Sequence, residues 1–215
     1  MLSKEKTLEA VGIMAEMFPT AHCELTYHTP FQLLIAVMLS AQTTDVAVNK
    51  VTPKLFADFP NPISLMNAPL DEVMDDIRTI GLYRNKSKNA KACARMIVEE
   101  YNGEVPDTMA QLIKLPGVGR KTANVVLGEA FGIPSIAVDT HVERIAKRLR
   151  ICKQSASVSE VEETLMKKIP KELWIQTHHR MIFFGRYHCL AKSPHCQGCP
   201  LFYLCKEGHK RLNIQ

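Results

Sequence analysis

Four cysteines near the C-terminal end of the sequence have a spacing that could hold a metal centre. Cys189, Cys196, Cys199 and Cys205 form a C-x6-C-x2-C-x5-C pattern. Cysteines can instead pair as disulfides, but disulfides persist mainly in oxidising compartments. Residues 1–14 interleave Lys with Glu and lack the apolar stretch of a signal peptide. We therefore expect a protein that works inside the cell, where four neighbouring cysteines indicate a metal site.

The spacing of these cysteines also bears on which metal they bind. Structural zinc sites usually contain two separate C-x2–4-C pairs. This sequence has one tight pair, Cys196 and Cys199, flanked by two more distant cysteines. Four thiolates are also the usual ligands of a [4Fe-4S] cluster. The spacing favours the cluster, and zinc is the alternative.

The composition indicates a folded protein with a moderate excess of positive charge. The 215 residues are 46% hydrophobic, and the formal net charge is +5. From Arg180 onward there are six Lys or Arg residues and one acidic residue, Glu207. This bias suits a polyanionic partner, while a solvated basic face without a partner is the simpler alternative. No apolar run has the length of a membrane span, so we expect no membrane association.

The elements that must position these residues follow from the apolar pattern, which has the period of an α-helix. Phe31, Leu34, Ile35, Met38 and Leu39 follow the i, i+3, i+4, i+7, i+8 pattern and predict an amphipathic helix. The one strand candidate, 136–138, is too short to seed a sheet. We therefore predict an all-α fold, with further helices at about residues 5–17, 44–57, 70–77, 85–101, 108–113, 120–131, 140–150, 159–168 and 171–187.

Two of these helices carry more specific signals. Cys93 is in helical register with three apolar residues, Ala90, Ala94 and Ile97, which predicts a core position for its thiol. Ser159 and Glu162 have the spacing of a capping box at the start of another helix.

A glycine-rich turn separates the predicted helices at 108–113 and 120–131. Its sequence from Leu115 to Lys121 is Leu-Pro-Gly-Val-Gly-Arg-Lys. Proline fixes one φ angle, and each glycine allows a positive φ or a close backbone approach. Backbone N–H groups at the start of the second helix would then face a phosphate oxygen. The P-loop and the dinucleotide fingerprint do not fit, because Arg120 precedes the lysine and Thr122 replaces the third glycine. An ordinary αα-hairpin is the alternative.

Lys121 has an unfavourable position for a purely structural residue. A helix N-terminus favours anions, so a lysine in the first turn contributes nothing to folding through the helix dipole. If the amine is also partly desolvated, its pKa falls below the ordinary value of about 10.4. A neutral amine can attack an electrophilic carbon and form a Schiff base. The alternative is that Lys121 simply pairs with a phosphate.

Asp139 lies just before a predicted helix that carries Val142 and Ile145 on its apolar face. We expect it to cap this helix or to precede the cap, with Thr140 and Glu143 forming a capping box. A carboxylate near a nucleophilic amine would stabilise positive charge on a sugar or move a proton. An isolated Asp at this position is more commonly only a cap.

These motifs together resemble the endonuclease III family, the bifunctional DNA glycosylases and apurinic/apyrimidinic lyases of the helix-hairpin-helix superfamily. The resemblance rests on the Leu115–Ala123 turn, the Val138–Val142 segment and the cysteine pattern. It extends to Leu39–Asp45, which reads Leu-Ser-Ala-Gln-Thr-Thr-Asp, and to Gly81-Leu82-Tyr83.

The resemblance implies a helix-hairpin-helix DNA glycosylase fold with two domains. Residues 21–131 would form a six-helix barrel domain that ends in the hairpin. Residues 1–20 and 132–215 would form a four-helix domain that carries a [4Fe-4S] cluster on Cys189, Cys196, Cys199 and Cys205. The partner would be double-stranded DNA with damaged pyrimidines or abasic sites. We expect a monomer in the cytoplasm, associated with the nucleoid.

The resemblance also implies a role for individual residues. Lys121 would attack C1′ of the damaged nucleoside, and Asp139 would assist that attack. The Schiff base would then allow β-elimination of the 3′ phosphate. Residues implied to contact DNA are Gln42 and Leu82, which would fill the hole left by the displaced nucleotide, Lys192 on the backbone, and the hairpin residues Gly117, Val118 and Gly119.

Two other functions compete with this one. Mismatch adenine glycosylases share the hairpin and the cluster, but that family carries Ser at the position of Lys121 and a catalytic Glu at the position of Ala36. A non-enzymatic DNA-binding regulator with a redox-sensing cluster would need neither Lys121 nor Asp139. Both residues favour the bifunctional enzyme.

Overall fold

The computed structural model describes residues 1–213, so the last two residues of the predicted second domain lie outside the described chain. The described chain consists of helices and connections and contains no β-strand, which confirms the predicted all-α fold. The strand candidate Ile136–Val138 is a buried connection without strand pairing. Among residues 1–213, no helix combines the length and the apolar character that crossing a membrane requires.

The chain divides into two compact units. One comprises Glu24–Ile133, and we call it the hairpin unit because it contains the glycine-rich turn. The other comprises Met1–Cys23 and the chain from Pro134 onward, and we call it the cysteine unit because it contains the cysteine pattern.

The hairpin unit is built around one buried helix. Every residue from Phe31 to Leu39 is buried, so the helix predicted to be amphipathic is instead apolar on all sides and central, as its sequence Phe-Gln-Leu-Leu-Ile-Ala-Val-Met-Leu allows. This helix contacts the helices at Asp45–Asp58, Tyr83–Glu100 and Arg120–Phe131. The helices of the unit are α2 (Pro30–Leu39), α3 (Asp45–Asp58), α4 (Pro62–Asn67), α5 (Leu70–Ile77), α6 (Tyr83–Glu100), α7 (Met109–Leu112) and α8 (Arg120–Phe131).

The short helix α4 was not predicted, although its start is encoded locally. Asn61 and Ser64 form a capping box, and Pro62 occupies the first helical position. The side chain of Lys91 donates to the carbonyls at the end of this helix, among them that of Met66 at 3.0 Å. Six residues are too few for a clear hydrophobic period, so periodicity gave no signal for this helix.

The cysteine unit packs its helices around a continuous apolar core. The core includes Met14, Val142, Val161 and Phe184. A 3₁₀ turn (Lys171–Leu173) precedes the helix Trp174–Phe183, and a π-helical turn (Phe184–His188) follows it. A second 3₁₀ turn spans Phe202–Leu204. The α-helices of the unit are α1 (Lys4–Met17), α9 (Thr140–Arg148), α10 (Val158–Lys168), α11 (Trp174–Phe183) and α12 (Lys206–Arg211).

The capping box of α10 lies two residues earlier than predicted. Ser157 Oγ accepts from Glu160 N at 3.3 Å, and Glu160 Oε2 accepts from Ser157 N at 2.7 Å. The predicted partner Glu162 is only 4% exposed, on the packed face of the helix. Because Glu162 is buried, it does not serve as the solvent-facing acidic residue of the capping box.

Candidate active site and cysteine cluster

The glycine-rich turn between α7 and α8 requires glycine at Gly117. Its φ of +78° lies in the left-handed region, and a Cβ there would be 2.8 Å from Met38 Cε and 3.0 Å from Asn89 Cβ. Val118 N donates to Leu115 O at 3.0 Å and closes the turn. The side chain of Val118 is buried, so its predicted contact with DNA would have to come from its backbone.

Gly119 has a different environment from Gly117. It caps α8 with φ −96° and ψ 176°, which any residue can adopt, and a Cβ would meet nothing within 4 Å. No side chain caps the helix, and its first turn contains no acidic residue. The first N–H groups of a helix lack partners within the helix. The start of α8 is therefore suited to an anion that arrives from outside.

Lys121 occupies the first turn of α8 and is exposed. The partial desolvation considered from the sequence is therefore not supplied by the protein alone. A bound partner that covers the turn would supply it. Lys121 lies outside the core, and an electrophile can reach its amine.

Asp139 is the N-cap of α9, in the cysteine unit. Its Oδ1 accepts from His141 N and from Val142 N, both at 2.8 Å. The expected capping box of Thr140 with Glu143 does not form, because Asp139 itself takes the cap and Glu143 pairs with Lys147 at 2.6 Å. Since Oδ1 accepts both bonds, the cap does not require Oδ2.

Gln42 and Leu82 share an unusual backbone conformation. Their φ angles are +55° and +60°, and Leu82 has 56% of its surface exposed. A left-handed conformation is uncommon for residues with a side chain and a real outlier for a bulky one. An exposed leucine held in this way is placed away from the core, where a partner could contact it.

The structure brings the four predicted cysteine ligands together. Their side chains line one apolar cavity in the cysteine unit, next to Phe184. Burial raises the pKa of the Cys199 and Cys205 thiols, and the neighbouring cysteines raise both further. Four thiolates in this space would repel one another, so the site favours a cationic centre that compensates their charge.

Hydrogen bonds to sulfur reinforce this fit. Arg148 Nη1 lies 3.2 Å from Cys189 Sγ, and Gly208 N donates to Cys205 Sγ at 3.3 Å. Such donors stabilise thiolates around a metal centre. Within residues 1–213, no three His, Cys, Asp or Glu side chains converge as the ligands of a single ion do.

Lys192 is exposed on the loop between the first two cysteines. Together with His195 and Arg211 it lines an open surface depression. Arg211 also pairs with Glu207 at 2.8 Å. This face of the cysteine unit carries positive charge next to the cysteine loop, as its sequence predicted.

Two further residues were not identified from the sequence. Arg148 reaches the cysteine loop, and no local pattern predicts that contact. Lys86 is 8% exposed and shares the buried face of α6 with Ala90, Cys93 and Ile97. Its register with this apolar stripe could have identified Lys86 from the sequence, since a lysine among core positions is unusual.

The predicted core position of Cys93 is confirmed, and burial raises its thiol pKa to about 12.

Comparison with known proteins agrees with this geometry. Residues 35–171 match the family model of the HhH-GPD superfamily base excision DNA repair proteins. The chain is 58% identical over 207 residues to endonuclease III of Bacillus subtilis (strain 168), covering 96% of this chain and 93% of that protein. It is 45% identical over 209 residues to endonuclease III of Escherichia coli (strain K12), covering 97% and 99%.

Solved structures give the same result. A non-covalent endonuclease III–DNA complex matches with a TM-score of 0.97 and 59% identity, covering 99% of this chain and all of that one. A trapped endonuclease III–DNA covalent intermediate matches with a TM-score of 0.96 at the same identity and coverage. A thermostable thymine-DNA glycosylase, at 24% identity and a TM-score of 0.84, shares the fold. The chain therefore belongs to the HhH-GPD superfamily of base excision DNA repair proteins and, within it, to the endonuclease III family.

Proposed function

We propose that this chain removes oxidised pyrimidines from double-stranded DNA with Lys121 as the nucleophile and then cleaves the strand by β-elimination. As a member of the endonuclease III family, the chain is a DNA N-glycosylase and AP lyase of base excision repair. The proposal adds the residues that carry the two reactions and the class of damaged base.

DNA binding is supported by the start of α8 and by the charge. Two endonuclease III structures that match this chain were solved in complex with DNA. Here no side chain caps α8, so the backbone N–H groups that follow Gly119 are open to a phosphate. Gly117 allows the tight turn before them. Lys192 adds an exposed positive charge for a backbone phosphate, and the net charge of +5 favours a polyanion overall.

Lys121 would perform the covalent chemistry. The lone pair of its Nζ attacks C1′, the bond from C1′ to the base breaks, and the base leaves with that electron pair and takes up a proton. The attached amine loses one proton, and its lone pair then forms the C=N bond of a protonated imine as the C1′–O4′ bond breaks. The electrons of that bond go to O4′, which takes up a proton. Loss of a proton from C2′ then expels the 3′ phosphate with the electrons of its bond to C3′. The exposure of Lys121 supports this role, because an attacking amine must reach the sugar.

Asp139 would serve as the carboxylate of the reaction. Its Oδ1 is fixed by two backbone N–H groups, which orient the side chain. Its Oδ2 would then stabilise positive charge on the sugar or accept a proton. A carboxylate held by a helix cap is rigid, and rigidity supports a catalytic role as well as a structural one.

Gln42 and Leu82 would occupy the space in the duplex from which the damaged nucleotide is displaced. Displacing a nucleotide costs a few kcal/mol and is easiest for a weakly paired base. Exposed side chains on a left-handed backbone fit this role, because both lie outside the core, where a duplex can reach them.

The four cysteines would hold a [4Fe-4S] cluster. The cavity they line, the donors to sulfur and the mutual repulsion of their thiolates all support a cationic cluster there. The cluster would organise the loop that carries Lys192. We propose 21–131 as the barrel domain and 1–20 with 132–215 as the cluster domain. The monomeric state and the nucleoid-associated cytoplasmic location stay predictions.

The observation that carries the proposal is an exposed lysine in the first turn of a helix that no side chain caps, directly after a glycine turn. Borohydride should trap the wild-type protein covalently on duplex DNA with an abasic site or thymine glycol. Lys121→Gln should bind that DNA without being trapped. Lys114→Gln, which removes an exposed lysine on the other side of the turn, should be trapped as well as the wild type.

Three outcomes separate the competing functions. Trapping of Lys121→Gln at the wild-type level would refute the role of Lys121. Base release without trapping by the wild type would indicate a monofunctional glycosylase. DNA binding with neither reaction would indicate a regulator.

A further inference from the structure

Lys86 links the two segments that carry Gln42 and Leu82. Its Nζ donates to Thr43 Oγ1 at 2.7 Å, and Thr43 directly follows Gln42. Its backbone N–H donates to the carbonyl of Leu82 at 3.0 Å, the first hydrogen bond of α6. One residue is thus bonded to both segments, although they lie about forty residues apart in the chain.

The loop that carries Gln42 is short and depends on few contacts. Thr43 N donates to Ser40 O at 3.1 Å, and Thr44 then caps α3 by accepting from Ala47 N at 3.2 Å. Gln42 therefore protrudes from a tight turn between α2 and α3. The bond from Lys86 ties this turn to the start of α6.

We expect Lys86 to make the protein less stable than an apolar residue at the same position would. An ammonium has three N–H donors, and among residues 1–213 its side chain has one hydrogen-bond partner, Thr43, and no carboxylate partner. Burial lowers the pKa of Lys86, which means that the fold disfavours its charged form. An apolar side chain at this position of the core stripe would remove that penalty.

We propose that Lys86 is a positioning residue for damage recognition, which fixes Gln42 and Leu82 relative to each other so that both enter the duplex together. The inference rests on the proposed function, which assigns the two residues to the vacated space. It predicts that removing the ammonium impairs the displacement of a paired nucleotide while the chemistry at Lys121 is retained.

Lys86→Met tests this directly. Single-turnover excision of thymine glycol paired with adenine should slow by about tenfold, the size expected for losing one hydrogen bond to a charged group. Excision should be much less affected when the base opposite the lesion is missing. The fluorescence increase of a 2-aminopurine next to the lesion should be reduced. The melting temperature should stay the same or rise.

Lys91→Met is the matched control. Lys91 lies on the same helix, and burial also lowers its pKa, but its ammonium bonds the carbonyls of Leu65, Met66 and Ala68 at the end of α4. Its removal should lower the melting temperature and leave excision of the paired lesion unchanged at temperatures where the variant is folded.

Substitutions of Thr43 provide a second route if Lys86→Met folds poorly. Thr43→Val removes the acceptor and should reproduce the tenfold loss, whereas Thr43→Ser keeps the hydroxyl and should behave like the wild type. The double variant should be no slower than either single one, since both remove the same bond.

Some results would overturn the inference. Equal rates for Lys86→Met, Thr43→Val and the wild type on the paired lesion would do so. A loss of similar size on paired and unpaired lesions, with a lower melting temperature, would indicate a structural role and would also overturn it. A failure of the proposed function can be distinguished from a failure of this inference. In that case borohydride would not trap the wild type on DNA, or would still trap Lys121→Gln.

Discussion

Arg148 Nη1 donates to the sulfur of Cys189 at 3.2 Å, and the same guanidinium donates to the carbonyls of Cys189, Leu190 and Ala191. One side chain of α9 thus holds the first cysteine of the pattern and the two residues after it. Asp139 begins the same helix, so the proposed catalytic carboxylate and this anchor of the cysteine loop share one rigid element.

Arg148→Met should therefore weaken both the loop and the retention of the proposed cluster. We expect a lower free energy of unfolding, by at least about 2 kcal/mol, because several partly buried carbonyls and a thiolate lose a charged donor. Iron and acid-labile sulfide per protein should fall faster than in the wild type during incubation with a chelator. Lys147→Met, which breaks only a pair with Glu143 one turn away, should change stability by about 0.5 kcal/mol or less. Retention of iron by Arg148→Met at the wild-type rate would contradict this.

The two glycines of the turn should respond to substitution in different ways. Gly117→Ala should reduce the free energy of unfolding by about 1–3 kcal/mol, because φ is +78° and Met38 Cε lies 2.8 Å from the new Cβ. Urea unfolding measures this.

Gly119→Ser should keep or slightly raise stability, because serine is at least as good an N-cap as glycine. Its hydroxyl would accept from the N–H groups that we assign to phosphate, so affinity for undamaged duplex should fall. Fluorescence anisotropy at fixed salt measures the affinity. Tight DNA binding by a stable Gly119→Ser protein would show that phosphate binds elsewhere.

Asp139 combines a structural and a proposed catalytic role, and two substitutions separate them. Asn caps helices as well as Asp does, so Asp139→Asn should stay within about 0.5 kcal/mol of wild-type stability. Its excision rate should fall by about 10²- to 10⁴-fold, because the charge is lost. Asp139→Ala should lose the cap too, at a cost of about 1 kcal/mol. If a stable Asp139→Asn protein excised the base at the wild-type rate, the role of Asp139 would be limited to capping the helix.

Lys86 should make stability depend on pH in the alkaline range. Burial holds its pKa below the ordinary 10.5, so the folded state releases this proton before the unfolded state does. The stability of the wild type should therefore rise relative to Lys86→Met as the pH increases from the folded pKa towards 10.5. Below the folded pKa the difference should be constant, with Lys86→Met the more stable protein. Urea unfolding of both proteins across this range measures the difference, and a constant difference throughout would mean that Lys86 is well solvated.

Local signals predicted most of the helices and erred where packing decides. The period of Phe31–Leu39 gave the right helix, but the helix is buried on every side, because neighbouring helices also cover the face that the pattern assigned to solvent. The capping box of α10 was expected two residues late, because Ser157 with Glu160 and Ser159 with Glu162 have the same spacing and only burial distinguishes them. The short helices α4 and α12 lack a period long enough to detect.

The sequence by itself determined the helical fold, the cysteine pattern, the glycine turn with Lys121 and the family, because each of these is encoded in residue types a few positions apart. The tertiary structure decided which distant residues meet. Arg148 reaches Cys189 across 41 positions and Lys86 reaches Thr43 across 43. Contacts of this kind depend on how helices pack, and helix packing is set by the shapes of whole buried faces, which no local spacing specifies.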